Sequence, residues 1–345
     1  VIDFRSDNTH GASPEILEAL ARASRGTTTS YGEDPITLRV RDRCREIFET
    51  DCDVLPVLTG TAGNALAVAS MTPQWGAVFC HVEAHIHRDE MGAPEFFTGG
   101  AKLIPIEGAN GRIGADDVAR AIGGDMAIVP ACVSLTQATE AGTVYSVEEI
   151  AALASIAHAN KCRVHMDGAR FANAVVATGA SPAELTWRAG VDVLVFGGTK
   201  NGALAAEMLV IFDRTLTAEL ELRRHRAGHR LSKMRFVSAQ LDAYLADDLW
   251  LRNARHSNAM AQLLAKNLAA EIVRPVETNA VFARFAPEVA ARLREQGALF
   301  YDWPPFGAGV VRLVTAFDTT EEEIDAFVRA TLSGEARDRG SPRHR

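Results

Sequence analysis

The chain has 345 residues, 47% hydrophobic and 23% charged, with 36 Lys and Arg against 44 Asp and Glu and a formal net charge of −8. That balance suits a globular protein of roughly two domains and excludes a disordered chain, and the acidic excess argues against nucleic acid, whose binding rests on clustered cations that neutralise phosphates. No apolar run reaches the length of a bilayer span, VIDFRSDNTHG carries no signal-peptide pattern, and five cysteines without CxxC spacing read as reduced core residues, so a cytoplasmic enzyme with no membrane partner is expected.

Pro14 to Ala23 carry apolar residues at helical spacing behind Ser13, a cap followed by proline at the first helical position, and predict an N-terminal helix. The flanking DFRSDNTHG and RGTTTSYGEDP are polar, glycine-punctuated loops, of the kind that carry function beside a sheet. Ile36 to Phe48 returns to helical periodicity with a charged outer face. From Val54 onward, strands are expected at Val54–Leu58, Ala77–His81, Lys102–Ile106, Ala127–Ser134, Arg163–Met166, Val191–Phe196 and Met208–Phe212. Helices are expected between them at Gly63–Ser70, Ala115–Ile122, Val147–Ala159 and Pro182–Ala189. The alternation predicts an α/β fold whose mainly parallel seven-stranded sheet is covered on both faces. Past Leu216 two or three helices run to about Ala270, and the strand-like Ile272–Phe285 and Val310–Val314 with a helix at Thr320–Thr331 predict a small C-terminal α+β domain. The expected division is an N-terminal arm 1–15, a large domain 16–250, a small domain 251–332 and a disordered tail 333–345.

The candidate chemistry gathers where strands end. Asp167 follows the run Arg163–Met166, and Lys200 follows Val191–Phe196 through two glycines. With the crossover at Pro182–Ala189 the two runs lie parallel and both polar residues reach the carboxyl edge, where open α/β sheets bind ligands. Such a pair suits pyridoxal phosphate: a lysine amine holds the aldehyde as a Schiff base, and a carboxylate keeps the pyridine nitrogen protonated. Of five lysines only Lys200 sits in a glycine-flanked turn behind a buried strand; the plain alternative is a solvated lysine and an ordinary turn aspartate. Leu58 to Asn64, LTGTAGN, opens a helix after the first strand, a place for a phosphate or simply a glycine-rich turn. Glu83 to Glu90, EAHIHRDE, would put His85 and His87 on one face of a strand. No metal is expected; an imidazole against the cofactor ring competes with a pair of exposed loop histidines. Arg170 and Arg312 adjoin apolar stretches and need anions; a substrate carboxylate would serve, or for Arg312 an internal ion pair. Arg223 to Arg235, RRHRAGHRLSKMR, reads by itself as a solvated basic face.

Together these residues resemble the low-specificity threonine aldolases over nearly the whole chain. The resemblance rests on RSDNT at Arg5–Thr9, YGEDP at Tyr31–Pro35, TGTAGN at Thr59–Asn64, EAHIHRDE at Glu83–Glu90, HMDGAR at His165–Arg170, GGTKNG at Gly197–Gly202 and SKMR at Ser232–Arg235. It implies the aspartate-aminotransferase-like fold (fold type I), pyridoxal 5'-phosphate, and cleavage of L-β-hydroxy-α-amino acids to glycine and an aldehyde, with a β-eliminating lyase or an aminotransferase of the same fold as the alternative. It implies Lys200 as the Schiff-base lysine, Asp167 as partner of the pyridine nitrogen, and Arg170 at the ring hydroxyl and substrate carboxylate. Gly60 and Thr61 would hold the phosphate, His85 would stack on the ring, and Ser6 and Arg312 would bind the substrate carboxylate. Arg235 would reach the phosphate of a neighbouring subunit, making the protein a homodimer or homotetramer with shared sites. Departures are Gln137 where many relatives have a second histidine, His87 where many have tyrosine, and Thr199-Lys200-Asn201 around the lysine; QATEAGTVY at Gln137–Tyr145 looks like a branch that includes phenylserine aldolase-like enzymes. With Gln137 unable to accept a proton at neutral pH, His85 is the expected base and His87 its substitute.

Overall fold

The computed structural model describes residues 2–124 and 127–332; the expected tail lies outside them. After a two-residue strand β1 (Ile2–Asp3) come helices α1 (Pro14–Ala23) and α2 (Pro35–Phe48). Each begins with proline, and Asp34 caps α2 by accepting from the N–H groups of Ile36 and Thr37.

Seven strands then build the large sheet: β2 (Asp53–Val57), β3 (Gly76–His81), β4 (Lys102–Ile106), β5 (Val129–Thr136), β6 (Arg163–Gly168), β7 (Val193–Gly197) and β8 (Glu207–Ile211). Their order is β2-β8-β7-β6-β5-β3-β4. All pairings are parallel except those of β8, which runs antiparallel to both β2 and β7. Strands β3, β7 and β8 are buried along their whole length, as expected for unbroken apolar runs covered on both faces.

Helix α3 (Gly60–Met71) follows β2, and from Gly63 to Met71 every residue is buried. Short helices α4 (His85–Arg88) and α5 (Ala93–Thr98) follow β3; α6 (Ala115–Ile122) and α7 (Val147–Ala159) occupy the expected spans, α7 closed by a Ser146–Glu149 capping box.

The crossover between β6 and β7 differs from expectation. It is made by α8 (Phe171–Thr178), while Pro182–Thr186 is a run of turns and Trp187–Ala189 a single short helical turn. Phe171 to Val175 are all buried, and Asn173 Nδ2 donates to Ser257 Oγ (2.9 Å) and Asn258 Oδ1 (2.8 Å) on a later helix. A helix whose first five residues are all buried shows no amphipathic stripe there, which is why FANAVVAT does not announce itself.

Three helices, α9 (Thr217–Arg226), α10 (Arg235–Leu245) and α11 (Leu249–Asn267), lead to a four-stranded sheet. Its strands are β9 (Glu271–Ile272), β10 (Ala280–Arg284), β12 (Tyr301–Asp302) and β13 (Val310–Val314), in the order β12-β13-β10-β9. Helices α12 (Pro287–Glu295) and α13 (Glu321–Leu332) complete this part, and β11 (Ala298–Leu299) pairs in parallel with β1, tying the start of the chain to its last third.

Helix α3 packs tightly on β7 through Gly63. A Cβ added to Gly63 would lie 2.7 Å from Val195 Cγ1, so helix or strand would have to move. Gly63→Ala is expected to cost about 1–3 kcal/mol as overpacking, read as a lower urea midpoint with unchanged m-value; a midpoint equal to the parent's would show that α3 is free to shift.

Candidate active site

β6 and β7 lie side by side with Asp167 opposite Val195. Asp167 therefore ends one strand, while Lys200 follows the other in the turn Thr199–Asn201. Both line one cavity of about 800 Å³, together with Ser6, Gly60, Thr61, His85, Arg170 and Arg312. Arg235 does not reach it: within its own chain it donates to the Gly26 carbonyl (3.2 Å) and lies over the Phe236 ring.

Asp167 is 3% exposed. Its Oδ1 accepts the N–H of Ala169 (3.0 Å) and its Oδ2 accepts Asn64 Nδ2 (2.9 Å). Glycine is required next to it, since a Cβ at Gly168 would stand 2.6 Å from Leu194 Cδ1 and 2.7 Å from the Val195 carbonyl. Burial, then the neighbouring Arg170 charge, lowers the Lys200 pKa, against Asp7, Asp167 and Glu207, which raise it; a lowered pKa makes the amine a better nucleophile. Glu207 accepts the N–H of Gly198 (3.0 Å), and its burial pushes the carboxyl up to about 7.

Arg170 is gripped by Asp7 through Nε (2.7 Å) and Nη2 (2.9 Å). Burial alone would raise the Asp7 pKa, but the charges of Arg170 and Lys200 hold it below the usual range. Arg312 donates to the Arg5 carbonyl (3.2 Å), lies 4.4 Å over the Trp303 ring and keeps a buried Nε with no acceptor. Burial, then Arg170, lowers it to about 10. Arg312 has no carboxylate partner within the described residues, so of the two anions left open for it the internal ion pair is not formed.

His85 and His87 do not share a face as expected of a strand, because the segment is the short helix α4. His85 lines the main cavity, whereas His87 lines a separate pocket with Gln74, Trp75 and Lys102; His87 is not placed to substitute for His85. The His85 N–H donates to Glu140 Oε1 (2.9 Å), and His85 Nδ1 meets Glu90 Oε1 at 2.9 Å. This Glu90 contact raises the His85 pKa despite burial and leaves Nε2 for a ligand. Gln137 is fully buried behind the cavity wall, donating through Nε2 to the Tyr145 carbonyl (3.0 Å) and accepting from its N–H (2.9 Å). The wall near it carries Glu140, pushed by burial to about 7, whose Oε2 is buried without a partner.

Sequence reasoning missed Asp7, Asn64, Glu140 and Glu207 as parts of the site, and the role of Glu90 as partner of His85. Asp7, Asn64 and Glu90 stand inside RSDNT, TGTAGN and EAHIHRDE, so the motifs themselves held the signal. The partners of Asp7 and Asn64 are long-range in the chain, Arg170 and Asp167 respectively.

The residues fit pyridoxal phosphate. Thr59 caps α3 by accepting from the Ala62 N–H (3.2 Å), and the first N–H groups of a helix lack intrahelical acceptors. A Cβ on Gly60 would meet nothing within 4 Å, so the helix start is open to the cavity and suits an anion. A reactive lysine and a buried carboxylate face the same space, completing the donor set that this cofactor uses.

Comparison with known proteins agrees. A profile described as beta-eliminating lyase matches residues 3–288. A low specificity L-threonine aldolase of a Pseudomonas species is 40% identical over 340 residues, 96% of this chain and 98% of the relative. The solved threonine aldolase of Leishmania major superposes with a TM-score of 0.91 at 25% identity, covering 96% of this chain and 99% of the other. An aspartate aminotransferase of Rhodobacter sphaeroides shares the fold, with a TM-score of 0.73 at 20% identity over 97% of this chain and 93% of the other.

Removing one partner of a buried ion pair leaves the other charge uncompensated, so Asp7→Ala is expected to destabilise the protein by about 3–5 kcal/mol. Chemical denaturation of this variant beside Asp7→Asn checks it; a loss below about 1 kcal/mol would mean that the Arg170 charge is satisfied from elsewhere.

Proposed function

Since the chain belongs to the beta-eliminating lyase family, and within it to the low-specificity threonine aldolases, we propose that it is a pyridoxal-phosphate-dependent aldehyde-lyase. It cleaves the Cα–Cβ bond of L-β-hydroxy-α-amino acids of the L-threonine, L-allo-threonine or L-phenylserine kind, giving glycine and an aldehyde. The observation that carries the reading is the placement of Lys200 and Asp167 at the carboxyl ends of adjacent parallel strands on one cavity.

Bound pyridoxal phosphate supplies an electron sink for the pair released when the bond breaks. The N–H groups of Gly60 and Thr61 would bind its phosphate, and Asp167 would hold a proton at its ring nitrogen. Lys200 would attach it through the amine, while Arg312 and Ser6 would hold the substrate carboxylate and Arg170, steadied by Asp7, would orient both. His85 would stack on the ring and take the β-hydroxyl proton at Nε2. Because Glu90 raises the pKa of His85 in the cofactor-free protein, His85 gains a proton on acidification more readily than an ordinary imidazole, and the acidic limb of the rate profile should report this residue.

Residues 16–250 would form the cofactor-binding domain and 251–332 the small domain, a division supported by separate apolar clusters around the two sheets. Assembly into a homodimer or homotetramer, with Arg235 completing a neighbour's phosphate site, is supported by the distance of Arg235 from its own cavity and by the exposed Met91, Phe96 and Leu222. Work in the cytoplasm is supported by the five free, buried cysteines; no described helix is long and apolar enough to cross a membrane.

Incubation with L-threonine and with L-phenylserine is expected to yield glycine and the matching aldehyde, and Lys200→Ala to abolish both products and the borohydride-trapped cofactor adduct. Ammonia or a keto acid in place of glycine would assign the chain to the elimination or transamination chemistry of its fold.

Shared sites have their own signature. Lys200→Ala and Arg235→Ala should each be nearly inactive, yet mixed subunits exchanged under mild denaturant should regain part of the activity, because one site in each hybrid pair has both residues intact. No recovery after demonstrated exchange would place Arg235 outside the neighbour's site.

A further inference from the structure

The motif TGTAGN ends in Asn64, a residue to which the proposed chemistry gives no part. It sits on the first turns of α3 and is 1% exposed. Its Nδ2 donates to Glu90 Oε1 at 2.8 Å and to Asp167 Oδ2 at 2.9 Å. An amide nitrogen has two hydrogens, so each carboxylate receives one. The reverse orientation would turn Oδ1 toward two acceptors, which fixes the amide as drawn. Glu90 Oε1 is also the atom that meets His85 Nδ1, while Glu90 Oε2 and Asn64 Oδ1 are buried without partners. The Glu90 charge therefore rests on His85 and Asn64.

The geometry points to Asn64 as the positioning residue that joins His85 to Asp167: its one amide group holds both carboxylates, so that a charge arriving at the cofactor's ring nitrogen is felt as a change in the protonation of His85. This rests on the cofactor assignment above.

The sign follows from the charges. A protonated ring nitrogen beside Asp167 withdraws electron density through the shared amide and weakens the acceptor strength of Glu90 toward His85, so cofactor binding should make His85 release its proton at lower pH. By linkage, protonation of His85 weakens cofactor binding by the same factor. Glu90, Asp167 and Lys200 face the imidazole electrostatically, Glu140 holds its backbone N–H, and Arg170 faces Glu140 and Asp167. The readout must therefore be His85 itself.

Imidazole ¹⁵N shifts of His85 report its own protonation, whatever Lys200 or Glu140 does. Titrations of full-length protein with and without pyridoxal phosphate are expected to show His85 proton affinity falling about tenfold on binding, within the usual range of coupling between sites. In Asn64→Ala and the milder Asn64→Ser the drop should shrink to less than half in logarithmic terms. Glu90→Gln, which keeps an acceptor for Asn64 but removes the charge, should lose the same coupling, and Asn64→Ser combined with Glu90→Gln should lose no more than either alone. A merely structural asparagine would weaken cofactor binding equally at all pH values and leave the His85 displacement unchanged. An unchanged displacement in folded, cofactor-binding Asn64 variants overturns the coupling and leaves the aldolase reading standing; wild-type protein that binds no pyridoxal phosphate overturns both.

Discussion

The constraint on which the site depends is charge balance in a half-enclosed space. Asp7, Asp167, Glu140 and Glu207 line or adjoin the same cavity as Arg170, Lys200, Arg312 and His85, with Glu90 buried behind His85. Partners pair where geometry allows: the fixed Arg170 cation takes Asp7, and the titratable His85 takes Glu90. Glu140 and Glu207 relieve part of the anionic excess, since burial raises both carboxyls to about 7. Burial, then the Arg170 charge, destabilises the Lys200 amine as a cation, and the anionic set opposes them.

The backbone makes that balance possible. The parallel register of β6 and β7 brings an acid and a lysine to one edge, and the antiparallel β8 returns Glu207 to a position opposite Gly197. From the other side α3 contributes both its open start and Asn64, so on the proposed placement a single helix would support the two ends of the cofactor. Gly63 and Gly168 matter because both stand where a methyl group would strike β7 or its neighbours. These are requirements of distance rather than of loop flexibility.

The elements legible in the sequence were those with a solvent-facing side or a strong local signal. Pro14–Ala23, Ala115–Ile122 and Val147–Ala159 stand as expected because capping residues and a polar face mark them. The seven strands of the large sheet were recognisable as apolar runs, with ends displaced by a residue or two. Helix α8 was not, because its enclosed surface carries no periodic contrast, and the polar segment Pro182–Ala189 looked more helical than it is. At His85–Arg88 a short helix took the place of the strand-like arrangement and turned His87 away from the cavity. Gln137, conspicuous as a departure from relatives, proves to be a backbone clamp on Tyr145.

The sequence by itself determined which residues stand at strand ends and helix starts, because glycine, proline and apolar periodicity act over a few positions; this places Asp167, Lys200, Gly60 and Thr61, and with them the fold and the kind of cofactor. Only the tertiary structure decided which charges meet. Asp7 finds Arg170, and Glu90 finds Asn64 and through it Asp167, across separations that no local pattern encodes. The reason is physical: the energy of a buried charge depends on partners within a few ångströms, and those distances exist only after the sheet has closed around them.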